Sequence, residues 1–499
     1  MTESTYPYLS LLIFLPLFGA VLCLFFRGQA RICRWLALAV TWIVFTIAVG
    51  LFVGYGGGGG WLLYEDHAWI ERWGIRYTLG LDGISLLLVL LTALTQLLAV
   101  IVSWRRRWEL SFFYGVLLAM EAGIMGVFLA LDLFLFYLFW ELMIIPMFFL
   151  IGVWGHGRRV YAAVKFFLYT MSGSLLMLVA IIALYLMHAE QTGTYTFALE
   201  ALHNTDIPSG AAPWLYAAFL IAFAIKVPLV PFHTWLPDAH TEAPTAGSLD
   251  LAGLLLKTGL YGLIRIAFPL FPEMAAASFP LLAVLALTGI FYGAWIAYAQ
   301  SDAKRLVAYS SVAHVGFMVL GLCAWNVTAV EGSILQMFNH GITTGALFIM
   351  VGMIQHRAHS RDISDLGGLW GQMPVFSAFF LFFSLASLGL PGLNNFAGEI
   401  IILIGTFQAS PVWGVLATVG VVFAAAYMLR LVQGVLWGTP KKDHKWHDLT
   451  WDEAIVVIPL AVMVLWLGLY PAPFLDVLRE PVAQMLQQSP LVAVKGGLP

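Results

Sequence analysis

Charged residues are scarce in this chain of 499 residues: Asp, Glu, Lys and Arg together make up 10%, whereas apolar residues make up 61%. A soluble domain carries about 25% charged residues, so this composition excludes a soluble protein and indicates an integral membrane protein. The net charge of −3 gives no sign of nucleic-acid binding. The three cysteines, Cys23, Cys33 and Cys323, contain no CxxC pair, which argues against a disulfide framework, an iron–sulfur cluster or a structural zinc site.

Long apolar runs fill most of the chain, and a spanning helix needs about 20 such residues. We predict an all-α integral membrane protein with about fourteen transmembrane helices. Proline and glycine interrupt the seventh and twelfth runs, at PLVPFHTWLPDAHTEAP and SLGLPGLNN, which predicts two broken helices. The predicted helices lie near residues 6–26, 34–54, 80–103, 111–130, 133–153, 163–187, 213–232, 249–269, 279–299, 306–324, 331–355, 374–405, 414–437 and 453–472.

The loops between these helices differ in positive charge, which predicts orientation. Four Lys and Arg residues lie on the side of the termini: Arg72, Arg76, Arg479 and Lys495. Sixteen lie on the other side: Arg27, Arg31, Arg34, Arg105, Arg106, Arg107, Arg158, Arg159, Lys165, Lys304, Arg305, Arg357, Arg361, Lys441, Lys442 and Lys445. Because cytoplasmic loops are the basic ones, both termini are predicted to be periplasmic in an inner (plasma) membrane.

Ionisable residues inside the predicted helices recur at a constant spacing. Three pairs are each 173 residues apart: Glu141 and His314, Lys226 and Glu399, and Lys257 and Arg430. We therefore predict two inverted five-helix repeats, helices 4–8 and 9–13, with broken helices 7 and 12. The predicted domains are 1–110 (three N-terminal helices), 111–272 (first repeat), 273–440 (second, inverted repeat) and 441–499 (C-terminal helix and tail).

Four charged residues at membrane depth are the strongest functional signal: Lys226, Lys257, Glu141 and Glu399. A charge at the bilayer centre costs about 2.5–3.5 kcal/mol on insertion scales, so such residues usually serve a function. Prolines after Lys226 free helix carbonyls that can hold water beside its amine. These residues are predicted to pass protons, with Glu141 as counter-charge to Lys226 and Glu399 as terminal acceptor. The alternative is a set of structural ion pairs between helices.

Two histidines, His314 and His340, occupy successive predicted helices between Lys257 and Glu399 in chain order. Histidine relays protons without a large pKa shift, so we predict a relay, although a buried histidine is also often only hydrogen-bonded. No carboxylate or cysteine accompanies them at ligand spacing, so no metal site is predicted.

Four further residues are candidates for auxiliary roles: Asp132, Asp250, Arg265 and Arg430. Asp132 lies at a helix edge. Asp250 precedes Lys257 by seven residues, about two helical turns, which predicts a common face; it either leads protons inward or is a solvated helix end. Arg265 and Arg430 are predicted to be structural or snorkelling, with Arg430 as a candidate partner for Glu399.

Several long motifs resemble the antiporter-like subunits of respiratory complex I, which are related to Mrp-type sodium/proton antiporter subunits. They include FLFYLFWELMIIPMFFLIGVWG, FAIKVPLVPFHTWLPDAHTEAPTAGS, LLLKTGLYG, QSDAKRLVAYSSVAHVGFM and LPGLNNFAGE, within residues 80–440. Among the three paralogues of this family, the M type (mitochondrial subunit 4 type) has glutamate on broken helix 12, the place that Glu399 occupies here.

The resemblance implies a proton channel without a redox centre, in which Glu141, Lys226, Lys257, His314, His340 and Glu399 transfer protons. It implies L- and N-type antiporter-like chains as partners, indirect coupling to the quinone-site and peripheral-arm subunits, and FMN and iron–sulfur clusters only on other subunits. The alternatives are a subunit of a sodium/proton antiporter, a membrane subunit of a hydrogenase or ferredoxin-linked complex, and a purely structural membrane scaffold.

Overall fold

The computed structural model describes residues 6–58, 60–106, 108–439 and 446–488. Within them, twelve helices are long and apolar enough to cross a membrane, and Ala212–Lys226 and Pro374–Ser387 are shorter apolar helices. Each shorter helix is half of a broken span, so all fourteen predicted spans are present. The end of the predicted tail, 489–499, lies outside the described residues. So do five of the cations used to predict orientation: Arg107, Lys441, Lys442, Lys445 and Lys495.

The bundle is built from seventeen principal helices and one hairpin within the described part of the chain. Its elements are α1 Tyr8–Phe25, α2 Ala30–Val53, β1 Leu63–Ile70, β2 Ile75–Leu81, α3 Gly83–Val102, α4 Leu110–Leu129, α5 Leu133–Trp154, α6 Arg159–Thr192, α7 Ala212–Lys226, α8 Trp235–Glu242, α9 Thr245–Leu270, α10 Pro272–Ala299, α11 Ala303–Ala324, α12 Val327–Ala358, α13 Pro374–Ser387, α14 Asn394–Ala409, α15 Pro411–Leu436, α16 Trp451–Leu469 and α17 Ala472–Gln488. Single short turns lie at Glu71–Trp73, Leu199–Leu202, Phe232–Thr234, Ile363–Asp365 and Leu369–Gln372.

The fold is helical as predicted, and the antiparallel hairpin β1–β2 is a small addition to it between α2 and α3. An ion pair of 2.6 Å between Arg76 and Asp66 ties its strands together. The Arg76 guanidinium also holds the pKa of Asp66 below its usual value. A segment of eight residues with mixed polarity is too short and too polar to register as a span, so hydropathy alone missed it.

The two broken spans end where the sequence forbids a continuous helix. Helix α7 stops at Lys226, because Pro228 has no N–H to donate to the preceding turn. Between α13 and α14 the chain passes through Gly389 and Gly392, whose φ angles of 80° and 92° are left-handed and favour glycine. Both predicted breaks are therefore confirmed, although α7 ends six residues before its predicted limit at 232.

Two aspartates mark the inverted relation between the repeats. Asp132 caps α5 by accepting hydrogen bonds from Phe134 and Leu135, and Asp302 caps α11 in the same way. The cap of α5 lies at the hairpin end of the bundle, where Asp132 also accepts from the N–H of Arg76. The cap of α11 lies at the opposite, basic end, so the helices that carry Glu141 and His314 run in opposite directions.

Lys304 changes the charge distribution that predicted orientation. It was counted among the loop cations, yet only 1% of it is exposed, and its amine donates to the carbonyl of Ala243 at 2.5 Å. The neighbouring Arg305 remains at the surface, with 40% of its side chain exposed. The basic face therefore loses one of its sixteen cations to the interior, which leaves the asymmetry intact.

The C-terminal part contains an unpredicted helix, α17, after the last spanning helix. It buries Phe474, Leu478 and Val482 against α3 and α12 and leaves Asp476 and Arg479 outside. Because half of its surface is polar, its average hydropathy is low, and the sequence suggested only a tail.

Candidate functional site

Four ionisable side chains from α9, α11, α12 and α14 form a continuous row in the bundle interior, here called the central file. Nζ of Lys257 lies 2.8 Å from Nδ1 of His340, and the rings of His340 and His314 are 5.6 Å apart. Nδ1 of His314 lies 3.0 Å from Oε1 of Glu399. All four residues are buried, so the structure joins four of the six predicted proton-transfer residues by direct contacts.

Lys257 is positioned by an irregular turn of α9. Residues Leu251–Leu255 form a π-helix, which breaks the normal i→i−4 pattern and frees backbone carbonyls. The Lys257 amine donates to one of them, that of Ala252. A regular helix would leave this carbonyl bonded along the backbone, so the π turn supplies a polar partner in an apolar core.

Glu399 lies at the other end of the central file, beside the break in span 12. Its Oε1 also faces the Gln336 amide at 3.3 Å, and Nε2 of His314 faces the Ser387 hydroxyl at 3.5 Å. A Cβ added at Gly389 would lie 2.8 Å from Oε2 of Glu399. The break thus brings a residue without a side chain against the carboxylate.

Lys226 and Glu141 form a second group at the end of α7. The Lys226 amine is buried and has no hydrogen-bond partner among the described residues; it lies over the rings of Trp140 and Phe166, at 5.2 Å and 5.7 Å from their centroids. Glu141 acts electrostatically on Lys226 at a separation greater than 4.0 Å, and its Oε1 has no partner in the described ranges either. Aromatic faces attract cations, so the rings partly replace the missing hydrogen bonds.

The Lys226 group is close to the central file in packing but separate in hydrogen bonding. A Cβ added at Gly259 would lie 3.1 Å from Cβ of Lys226, which shows that α7 and α9 pack tightly two residues beyond Lys257. No hydrogen bond of the described residues joins the amines of Lys226 and Lys257. A proton therefore needs water or a side-chain movement to pass between the two groups.

His240 of α8 is a buried ionisable residue that the sequence reading left among the loop residues. Its ring stacks on Phe348 at 4.6 Å between centroids, and neither ring nitrogen has a hydrogen-bond partner within the part of the chain that the structure describes. Both Lys257 and Lys304 act on it electrostatically. Its burial could not be predicted from the polar, proline-rich stretch in which it lies. The signal that could have indicated burial is that this stretch follows a broken helix and forms its second half.

The two auxiliary aspartates have different environments. Asp132 is the buried N-cap of α5, and burial raises its pKa to about 6 against the hydrogen bonds from the α5 amides. Asp250 is fully buried, so the alternative prediction that it is a solvated helix end is wrong. Asp250 and Lys257 have different partners, although both lie on α9. Asp250 interacts with Gln96 of α3 and Glu121 of α4, and the π turn separates it from Lys257.

The two auxiliary arginines pack against aromatic rings. Arg265 forms an ion pair with Asp82 and lies 5.2 Å from the ring of Trp61, which fits the predicted structural role. The guanidinium of Arg430 lies 5.0 Å from the ring of Tyr298. In the described part of the chain, no arginine lies within 4.0 Å of Glu399, so the suggested pairing with Arg430 is wrong.

The site residues offer no evident metal centre, since no group of three or more His, Cys, Asp or Glu side chains in the described ranges is arranged to hold an ion. What they offer is a row of bases and acids: Lys257 and His340 are within hydrogen-bond distance, as are His314 and Glu399, and the two histidine rings lie against each other. Such a row can pass protons, because each histidine accepts on one ring nitrogen and releases from the other.

The sequence is similar to that of respiratory membrane subunits over nearly its whole length. Residues 130–424 match the family described as NADH:quinone oxidoreductase/Mrp antiporter, TM. NADH-quinone oxidoreductase subunit M of Pseudomonas aeruginosa is 45% identical over 482 residues, covering 93% of this chain and 95% of that protein. NADH-ubiquinone oxidoreductase chain 4 of Arabidopsis thaliana is 40% identical over 489 residues, covering 97% of each.

Solved structures agree with the sequence comparison. A chain of respiratory complex I from Thermus thermophilus with bound NADH superposes with a TM-score of 0.86 at 34% identity, covering 96% of this chain and 99% of that one. A chain of the Mrp complex from Dietzia superposes with a TM-score of 0.85 at 21% identity, covering 97% and 98%, which shows a shared fold alone. This chain therefore belongs to the NADH:quinone oxidoreductase/Mrp antiporter transmembrane family, among relatives named subunit M and chain 4.

Proposed function

We propose that this chain is the M-type, proton-translocating membrane subunit of a respiratory NADH:quinone oxidoreductase. Protons move through Glu141, Lys226 and the central file, while NADH oxidation and quinone reduction take place on other subunits. The single observation that carries this proposal is the continuous central file from Lys257 to Glu399, with contacts of 2.8 Å and 3.0 Å at its ends.

Proton transfer along the central file follows from which ring nitrogens face which partners. A protonated Lys257 donates its N–H to Nδ1 of His340. Nε2 of His340 has no hydrogen-bond partner among the described residues, so its proton reaches His314 through water or after rotation of one ring. His314 accepts this proton on Nε2, which faces the hydroxyls of Ser387 and Tyr427, and transfers one from Nδ1 to Oε1 of Glu399. Each step breaks one N–H bond and forms one N–H or O–H bond, so charge moves without a redox centre in this chain.

The Lys226 group is suited to control when the central file is loaded. No described residue forms a hydrogen bond with the Lys226 amine, so its charge depends strongly on the nearby carboxylate of Glu141. A shift of charge at Glu141, driven from the quinone-reducing part of the complex, changes the proton affinity of Lys226. That change is passed to Lys257 across the tight packing of α7 on α9.

The setting of the chain follows from the same family. Its partners are the L- and N-type antiporter-like chains, with indirect coupling to the quinone-site and peripheral-arm subunits, and FMN and the iron–sulfur clusters belong to other subunits. The basic face lies in the cytoplasm and both termini are periplasmic, in an inner membrane. The domains are 1–110, 111–272, 273–440 and 441–499, as the repeat spacing suggests.

The test is to interrupt the middle of the central file and measure pumping in the assembled complex. His340→Gln keeps a polar side chain but removes the titratable ring, and should abolish NADH-driven proton uptake into sealed vesicles. The matched control is His188→Gln, because His188 is also buried in a spanning helix but its ring bonds to the Thr205 hydroxyl instead of a residue of the central file. Ferricyanide reduction by NADH and a native gel verify the redox arm and assembly.

Wild-type pumping in an assembled His340→Gln complex would sink the proposal and favour a structural scaffold. Pumping that depends on added sodium would instead favour a sodium/proton antiporter, and co-purification with hydrogenase or ferredoxin-linked subunits would favour that class of complex.

A further inference from the structure

Three polar side chains outside the central file meet in the core between α3, α4 and α9: Gln96, Glu121 and Asp250. All three are 0% exposed. None of their six side-chain oxygen and nitrogen atoms has a hydrogen-bond partner among the described residues. Asp250 nevertheless acts electrostatically on Glu121, and the Gln96 amide interacts with Asp250. The helices also pack closely here: a Cβ added at Gly253 of α9 would lie 3.3 Å from Cγ2 of Thr95, the neighbour of Gln96 in α3, and the Tyr261 hydroxyl of α9 donates to the Phe128 carbonyl of α4 at 3.0 Å.

This carboxylate cluster is costly as it stands. An unsatisfied buried polar group costs about 1–3 kcal/mol, and an unpaired buried charge costs more. In the described part of the chain, neither Glu121 nor Asp250 has a Lys, Arg or His within 4.0 Å. Binding a proton removes the cost of a buried negative charge, and two carboxylates in one site hold at least one proton between them. Bridging water, held by the Gln96 amide, satisfies the remaining atoms.

A pocket at the basic face is lined by the two helices that carry Gln96 and Asp250. It has a volume of about 520 Å³, and its lining includes Ile101 at the end of α3 and Thr245 at the start of α9. Ile101 is five residues beyond Gln96, and Thr245 is five residues before Asp250, which corresponds to about 7.5 Å along each helix. The pocket lining and the carboxylate cluster are thus separated by roughly one and a half turns of each helix.

The central file lies on the other side of the carboxylate cluster. Lys257 follows Asp250 by seven residues, about 10 Å along the helix axis. The π turn at Leu251–Leu255, which supplies the Lys257 amine with the Ala252 carbonyl, lies between the two. The order from the basic face inward is therefore pocket, carboxylate cluster, π turn and Lys257.

We propose that Glu121, Asp250 and Gln96 form a proton-binding site that takes up protons through this pocket and delivers them to Lys257. The inference rests on the function proposed above. The protonated carboxyl gives its proton through ordered water to the neutral amine of Lys257, so that an O–H bond breaks and an N–H bond forms. The carboxylate pair then regains a proton from water in the pocket.

The test uses the assembled complex in sealed vesicles, with amide variants that keep the size of each acid. Glu121→Gln and Asp250→Asn should each lower NADH-driven pumping about tenfold. The double variant should pump no more slowly than the slower of the two single variants, because both acids hold the same proton. Glu121→Asp should retain pumping. The control is Glu331→Gln, a half-buried acid of α12 outside the cluster, which should pump normally.

Infrared difference spectra give a readout that a merely structural role would not move. The wild-type complex should show the carbonyl band of a protonated carboxyl group that disappears in both Glu121→Gln and Asp250→Asn. If one variant fails to assemble, the other variant tests the proposal, through its pumping rate and through the loss of the same carbonyl band.

Three results would overturn the inference. The first is normal pumping in Glu121→Gln and Asp250→Asn complexes while the His340→Gln complex does not pump. That result would exclude the proposed role of the carboxylate cluster but leave that of the central file. The second is an absent carboxyl band. The third is a sodium response at constant pH that Glu121→Gln abolishes, which assigns the site to a metal cation. Normal pumping in His340→Gln would instead count against the central file itself.

Discussion

The two broken spans hold their ionisable residues in opposite ways. In the first repeat, the amine of Lys226 has no hydrogen-bond partner in the described part of the chain and lies over the rings of Trp140 and Phe166. In the second repeat, the carboxylate of Glu399 is bonded to His314 and faces the Gln336 amide. Related folds therefore place an unsatisfied base at one break and a satisfied acid at the other.

This difference indicates a division of roles between the repeats. A buried charge without hydrogen bonds is sensitive to any nearby charge, because no dipole of the protein holds it in one state. A carboxylate with two polar partners resists such influence but can still receive a proton from the histidine that bonds it. The first break is thus suited to switching and the second to accepting.

Of the two breaks, the one with the unsatisfied amine is expected to show the larger effect. Lys226→Met keeps a long apolar stem against the aromatic rings but removes the charge, and should lower NADH-driven pumping about a hundredfold, the lower end of what a positioned acid or base contributes. Lys165→Met is the control, since Lys165 pairs with Asp238 near the surface at 2.7 Å. Equal pumping by both variants, measured as acidification of sealed vesicles, would remove the proposed contrast between the repeats.

A smaller effect is expected at the satisfied acid. Glu399→Gln preserves the size of the side chain and an oxygen that accepts from Gln336, while His314 can still release its proton to water. Pumping should therefore fall about tenfold, less than a positioned acid usually contributes. The rate of vesicle acidification per NADH oxidised is the measurement; a loss as great as that of Lys226→Met would show that both breaks are equally essential.

The glycine at the second break should matter through backbone conformation and through contact. Gly389→Ala places a residue with a Cβ at φ 80°, and its Cβ 2.8 Å from the Glu399 carboxylate. The left-handed conformation alone costs about 1–2 kcal/mol for other residues. We expect a lower thermal transition of the complex and slower pumping. Gly371→Ala, where a Cβ would meet nothing within 4 Å, should change neither.

The smallest effect concerns the cap of the first repeat. Burial raises the pKa of Asp132 from 3.8 to about 6, so the native state binds this proton more tightly than the unfolded chain does. Its contribution to stability is fully present below pH 3.8 and is lost as the pH rises through about 6.

Amide hydrogen exchange at the start of α5, corrected for intrinsic rates, measures this dependence. Protection should decline between these pH values in the wild type. It should be flat in Asp132→Asn, because asparagine also caps helices but does not titrate. An unchanged decline in the variant would assign the pH dependence to another group.

The spans, the two breaks and the principal charges were predictable because their signals are local. A lysine within an apolar run, as at Lys226 and Lys257, is improbable enough to reveal itself without a structure. The proline that ends α7 and the glycines before α14 act on their own backbone, so their effect can also be read from the sequence.

Other features escaped because they depend on neighbours distant in the chain. Glu121 is an acid within an apolar run, the same signal that drew attention to Glu141, but its meaning appears only where it meets Asp250 and Gln96. His240 looked like a loop residue until α8 was seen to return into the core. The suggested pairing of Arg430 with Glu399 failed because sequence spacing gives repeat positions but not side-chain directions.

By itself, the sequence determined that this chain crosses a membrane many times in two related halves and holds costly charges within it. Those properties follow from hydrophobicity and backbone stereochemistry, which act over a single helix. Only the tertiary structure decided that Lys257, His340, His314 and Glu399 form one file, whereas Lys226 remains unbonded beside it. Proton transfer depends on separations of about one hydrogen bond between different helices, and helix packing alone sets those distances.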